Sequence, residues 1–239
     1  MKTLAFLVAA AFCAAVSAAE GPGVSEADFF AGCVDCSIPA LAEIPAKTAA
    51  GDYAAAEKIF ADYVRSSLDW RKVYPSWARE KLTKKGLHKL AASADKIMDY
   101  RLSACGVPYH FKDRKIDWEF NPTYNGYREW PWQLGRQPFF TTLARYYAAT
   151  GDEKAAETWR DMISGWIAQA VPPPDGTPPS RPVTWRTLDA GLRVAGWCRQ
   201  IHAFARSPAL SDEFIVRFFR SVRDHGHRLE NRSRRTTGA

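Results

Sequence analysis

Thr150-Gly151-Asp152-Glu153-Lys154-Ala155-Ala156-Glu157-Thr158-Trp159-Arg160-Asp161-Met162-Ile163-Ser164-Gly165-Trp166-Ile167-Ala168-Gln169-Ala170-Val171 is the stretch on which the fold turns. Its apolar residues, Ala155, Ala156, Trp159, Met162, Ile163, Trp166, Ile167 and Ala170, recur at steps of three and four. That is the period of a helix that buries one face. Gly151 can end a preceding helix in a left-handed cap, and Asp152 can open the next by accepting backbone N–H bonds. A Gly-Asp junction between two helices makes an antiparallel hairpin.

The same signals recur on both sides. Gly51-Asp52 repeats the junction, and Asp52 to Trp70 carries Ala55, Ile59, Tyr63 and Val64 on one face. His88 to Ala104 carries Leu90, Ala94, Ile97, Met98 and Leu102. Ser211 to Leu229 carries Phe214, Ile215, Phe218, Phe219, Val222 and Leu229, with Pro208 closing off whatever precedes it. No sustained alternating pattern argues for strands. The expected fold class is all-α, a row of helical hairpins forming a bundle, a solenoid or part of an (α/α) toroid.

Composition bounds the rest. The 239 residues are 46% hydrophobic and 25% charged, with 9 Trp, 9 Tyr and 13 Phe, which excludes disorder over the whole length. Met1-Lys2-Thr3, the apolar run Leu4 to Val16 and Ser17-Ala18-Ala19 have the layout of a cleaved secretory signal, too short to span a bilayer. The expected organisation is a signal over residues 1–19, a helical domain over 20–229 and a frayed tail over 230–239. The expected location is the bacterial periplasm or the exterior, with no membrane contact after cleavage. Export allows Cys33 and Cys36 to close a small loop. Cys105 and Cys198 read as small buried groups or a pair. No second cysteine pair completes a zinc site, and Ser37 stands where a haem attachment needs His, so no cofactor or metal is expected. The net charge of +7 favours anionic partners. In an exported protein that points to an acidic polysaccharide and away from nucleic acid.

Two stretches interrupt the helices. Pro172 to Pro182 holds six prolines. Gly106 to Pro138 reads as a long loop in which aromatic rings alternate with Asp117, Glu119, Asn121, Arg128, Glu129, Gln133 and Arg136. A loop of that length inside a compact domain is uncommon unless functional. Sugar rings stack on aromatic faces, and guanidinium forks meet carboxylate or sulfate. The candidate substrate-binding residues are therefore Asn121, Trp130, Trp132, Gln133, Arg136, Trp185 and Arg186. An equally simple alternative is that Trp132 and Trp185 anchor loops to the core while Arg136 and Arg186 pair with Glu129 or Asp189.

Ile116-Asp117-Trp118-Glu119-Phe120-Asn121-Pro122, Glu129-Trp130-Pro131-Trp132-Gln133-Leu134-Gly135-Arg136, Thr150-Gly151-Asp152-Glu153 and Trp185-Arg186-Thr187-Leu188-Asp189-Ala190-Gly191-Leu192-Arg193 occur in that order. Together they resemble the N-terminal domain of heparinase II/III-type polysaccharide lyases, with heparan-sulfate lyases nearest in character and alginate-acting enzymes related. The resemblance covers about Asp52 to Leu229. It implies an incomplete (α/α) toroid and β-elimination at a uronic acid.

In that family the chain continues into a Gly-Asn-Trp segment that supplies the catalytic Asn, with Tyr and His later. Here it reads Glu230-Asn231-Arg232-Ser233-Arg234-Arg235-Thr236-Thr237-Gly238-Ala239. The resemblance therefore implies no catalytic residue within this sequence and no turnover by it alone. Asn231 lacks the Trp neighbour. His225 and His227 read as surface or capping residues near the end of the last helix. A rival expectation is a helical scaffold that docks a protein partner. If no neighbour covers Phe214 to Val222, an exposed apolar face and self-association follow.

Overall fold

The computed structural model describes residues 23–73 and 82–236; the expected signal segment lies outside the described residues. The elements are α1 (Glu26–Gly32), α2 (Ile44–Ala49), α3 (Tyr53–Ser67), α4 (Trp70–Val73), α5 (Lys84–Met98), β1 (Arg101–Ala104), β2 (Val107–His110), α6 (Glu129–Arg136), α7 (Phe140–Thr150), α8 (Glu153–Gln169), α9 (Thr187–Phe204) and α10 (Asp212–Thr236). Short 3₁₀ turns occupy Pro39–Leu41 and Val183–Trp185.

The junctions behave as their local chemistry dictates. Gly151 sits at φ +71 and caps α7, and the Asp152 side chain accepts from the Lys154 N–H to open α8. Gly51 has φ +74, and the Asp52 carboxylate accepts from Ala55 N–H at the start of α3. α7 packs against α8, α9 and α5, and α9 packs in turn on α6 and α10. The result is a set of stacked helical hairpins, the fold class expected from periodicity.

Three expectations change. The run His88 to Ala104 is not one helix. α5 ends at Met98, Tyr100 takes φ +57, and the chain enters an antiparallel hairpin with Leu102 opposite Tyr109. Cys105 and Gly106 both have positive φ, which makes a two-residue turn matched to strand twist. The aromatic stretch from Gly106 is therefore not one loop, since it holds β2 and all of α6. Pro131 is tolerated because it lies in the first turn of α6. On α3 the buried face is Ala56, Phe60, Ala61 and Val64, one position round from the expected stripe; Ile59 and Tyr63 lie at its margin.

The last helix also differs. Its backbone continues through Thr236, past Leu229 and through the start of the expected tail. Phe214, Ile215, Phe218, Phe219 and Val222 are all buried. The cause is a return of the N-terminal segment: α3 lies along α10, with Phe60 edge-on to Phe219 at 5.5 Å. Asp224 accepts from Val24 N–H at 3.0 Å, and Arg220 donates to Val24 O at 2.7 Å. The apolar face expected to drive self-association is thus covered within the chain. The four described cysteines carry free thiols, so Cys33 and Cys36 close no loop and Cys105 and Cys198 form no pair. No helix among the described residues is long and apolar enough to cross a membrane.

Candidate functional site

The tandem motifs converge at the N-terminal end of α9. Asp189, in the first turn of that helix, has a side chain 1% exposed. A buried carboxylate needs donors, and it has two. Arg136 Nε donates to Asp189 Oδ1 at 2.6 Å, and Arg186 Nη1 donates to Oδ2 at 3.2 Å. Arg136 also meets Glu129 Oε2 through Nη2 at 3.4 Å. The Arg186 guanidinium lies 4.1 Å over the Trp132 ring, a cation–π stack. Arg136 and Arg186 are each about a fifth exposed, so both reach the surface from a fixed base.

Beneath this pair lies a second guanidinium hub. Arg193 is fully buried; its Nη1 donates to Gly135 O at 2.7 Å and its Nη2 to Thr184 O at 2.8 Å. One of these carbonyls directly precedes Arg136, and the other lies two residues before Arg186. Arg193 therefore ties both backbone segments that carry the surface arginines to α9. Its Nε donates to His225 Nε2 at 2.9 Å, so that nitrogen is unprotonated, and Nδ1–H donates to Ser221 O at 2.6 Å. Burial pulls the Arg193 pKa down to about 9, with Asp189 opposing the shift, so it stays charged at neutral pH. Burial and the neighbouring Arg193 charge hold His225 well below the ordinary histidine range. Trp166, Trp185 and Trp197 surround the imidazole at 5.1, 4.5 and 5.2 Å. His225 is thus a neutral core residue and not the surface or capping group that its place near the helix end suggested.

The Pro-rich loop is strapped to α10. Arg228 donates to the carbonyls of Trp185, Thr177, Pro178 and Arg181, and His227 Nε2 meets Asp175 Oδ1 at 2.9 Å.

The seven candidate residues divide. Trp132, Arg136 and Arg186 come together as described. Gln133, on the same helix, is half-buried and accepts from Cys105 N–H at 3.0 Å, which clips the β-hairpin turn to α6. Asn121 shapes the preceding loop: its Oδ1 accepts from Thr123 N–H and Oγ1–H, and its Nδ2 donates to Tyr127 O. Trp130 and Trp185 are corrections. Both are 0% exposed, with indole N–H groups donating to Val107 O and Ala170 O at 3.0 Å. Neither has a ring face free for a sugar; they anchor the hairpin and the Pro-rich loop. Periodicity missed Asp189 and Arg193 as the centre of the site. Their signal lay in the motif itself, where charged residues occupy buried positions of an otherwise apolar helix face.

The sequence profile described as Heparinase II/III N-terminus matches residues 29–238. The chain belongs to that family. It is similar to a heparin-sulfate lyase of Pedobacter heparinus, 28% identical over 184 residues, covering 76% of this chain and 27% of that protein. A heparin-sulfate lyase of Bacteroides stercoris is 25% identical over 202 residues, 78% of this chain and 30% of that protein. Among solved structures, heparan sulfate lyase HepC from Pedobacter heparinus superposes with TM-score 0.69 at 24% identity, covering 87% of this chain and 32% of that one. The Heparinase III-BT4657 gene product gives TM-score 0.69 at 20% identity, 88% and 34%. The heparinase II/III N-terminal fold, part of an (α/α) toroid, is therefore the fold of this chain. The chain spans about a third or less of the length of these relatives.

Proposed function

We propose that this chain is the N-terminal portion of an exported lyase that cleaves uronic-acid-containing polysaccharide, of the heparan sulfate or alginate kind, by β-elimination. Its own part is to hold the acidic chain. The observation that carries this is the partly exposed pair Arg136 and Arg186, fixed on one buried carboxylate beside the Trp132 ring. Guanidinium forks take carboxylate or sulfate in two-point contact, and an indole supplies a stacking surface for a pyranose. The names of the relatives point to the same substrate class, and the apolar run after Lys2 supports export.

β-Elimination needs a base for the proton beside the carboxylate, a group that stabilises the developing negative charge, and an acid for the leaving oxygen. The arginine site can neutralise charge. His225 cannot act as the base, because it is buried and both ring nitrogens are engaged. We infer that the 239-residue chain holds the acidic glycan without turning it over.

Titration calorimetry with heparan sulfate, alginate and neutral glucan oligosaccharides tests the reading. Binding of the acidic glycans alone is expected, with no rise in absorbance from unsaturated product. Equal binding of all three, or of none, contradicts it; retention of a protein partner with no glycan affinity would favour the scaffold alternative.

A further inference from the structure

We propose that Glu129 is a displaceable counter-ion that sets how strongly charged a ligand must be to occupy the Arg136–Arg186 site. This rests on the functional reading above. The two carboxylates at the site differ in kind. Asp189 is buried, belongs to a long helix and receives both arginines, at 2.6 and 3.2 Å. Glu129 stands at the first position of α6 with 29% of its side chain exposed, and among the described residues its ion-pair partner is Arg136, at 3.4 Å. A long, partly solvated ion pair of that kind is weakly held, whereas breaking a buried pair strands an uncompensated charge and costs far more. An arriving anion therefore replaces Glu129 and leaves Asp189 in place.

The charge count gives this a consequence. With Glu129 seated, two arginines face two carboxylates, and the surface of the site is formally neutral. A neutral sugar has no charge to gain there. A sulfate or uronate can take the Arg136 Nη2 donor from Glu129. It can also reach the part of Arg186 not committed to Asp189, since Arg186 meets that carboxylate through Nη1 alone among the described residues. Glu129 thus works as a specificity-determining residue, a weak competitor that only a well-charged ligand outbids.

The test is the affinity of Glu129→Gln for a size-defined heparan sulfate oligosaccharide, measured beside wild type at moderate salt. Removing the competitor is expected to tighten binding about two- to five-fold, the equivalent of one exposed ion pair. Glu157→Gln, which removes the same formal charge from the exposed side of α8, is expected to leave affinity unchanged. Glu129→Ser removes the carboxylate with a residue tolerated at a helix start and should shift affinity in the same direction. Unchanged or weaker binding by both Glu129 variants, with wild type binding normally, overturns the inference alone. Absence of binding by wild type overturns the functional reading, and this inference with it.

Discussion

Arg193 Nε donates to His225 Nε2 across 2.9 Å, and both side chains are fully buried. A guanidinium can hold that contact only while the imidazole is neutral. Protonation would place two cations together in a site already stripped of water. The contact joins the middle of α9 to α10, and through Arg193 it reaches the carbonyls that position Arg136 and Arg186. The family motif thus ends on the residue that assembles the floor of the site.

A pH dependence of stability follows. The folded His225 pKa lies well below its ordinary value of 6.5, while the unfolded chain titrates near that value. Between the two, the unfolded chain binds the extra proton, so stability is fully present above about pH 6.5 and falls as pH drops toward the folded pKa. The slope is about 1.4 kcal/mol per pH unit for one group. Urea midpoints from pH 7.5 to 5 should fall accordingly, and His225→Gln should flatten the profile. Some slope should remain, because burial lowers His202 in the same direction.

Replacing Arg193 tests the hub. Arg193→Leu leaves the Gly135 and Thr184 carbonyls and His225 without their donor, three unsatisfied groups in the core. A loss of about 3 kcal/mol or more is expected. Arg193→Lys should recover little, since one ammonium cannot span three acceptors fixed by a planar fork. Chemical denaturation of both variants measures it.

Asp189 and Arg186 should respond unequally although they form one ion pair. Asp189→Asn strips the buried partner from two arginines and is expected to cost about 3 kcal/mol. Arg186→Ala leaves Asp189 held by Arg136 and should cost about 1 kcal/mol. Equal losses in thermal or urea unfolding would show that Arg136 alone does not satisfy the carboxylate.

The tryptophans separate by role. Trp185→Ala should cost about 3–5 kcal/mol, because a fully buried ring and its hydrogen bond to Ala170 O are removed. Trp132→Ala should cost far less stability and should weaken acidic-glycan binding. Urea unfolding and calorimetry on the two variants give the comparison directly.

Parts of this architecture could be read locally and parts could not. Gly151-Asp152 was legible because the left-handed glycine and the capping carboxylate act within three residues of each other. The Arg101–His110 hairpin was not: its strands are four residues long, and Leu102 falls four after Met98, continuing a helical period that Tyr100 breaks. Arg186 and Asp189 sit one helical turn apart, so their pairing was among the readings open from the start. The descent of His225 into the core depends on Arg193, thirty-two residues earlier. The burial of Phe219 depends on Phe60 in α3, which nothing adjacent to the last helix reveals. Exposed and buried tryptophans share one composition signal, so Trp130 and Trp185 resembled Trp132 until packing distinguished them.

Packing of α10 on α3 makes its own prediction. Phe214 to Val222 should be among the slowly exchanging amides of the chain, and the protein should sediment without association through that face. Hydrogen exchange read by mass spectrometry on the monomer reports this, and rapid exchange over those residues would contradict the packing described.

Trp132 and Arg186, the arginine held by Asp189, are the proposed acidic-glycan contact of this domain. Calorimetric titration of heparan sulfate oligosaccharide into wild type and into the Trp132→Ala/Arg186→Ala double variant tests it most directly, with Arg136 left to satisfy Asp189. The expected result is a loss of about tenfold or more in affinity, about 1.4 kcal/mol, with the circular dichroism and unfolding transition of a folded protein. Binding within twofold of wild type by a folded double variant would contradict it.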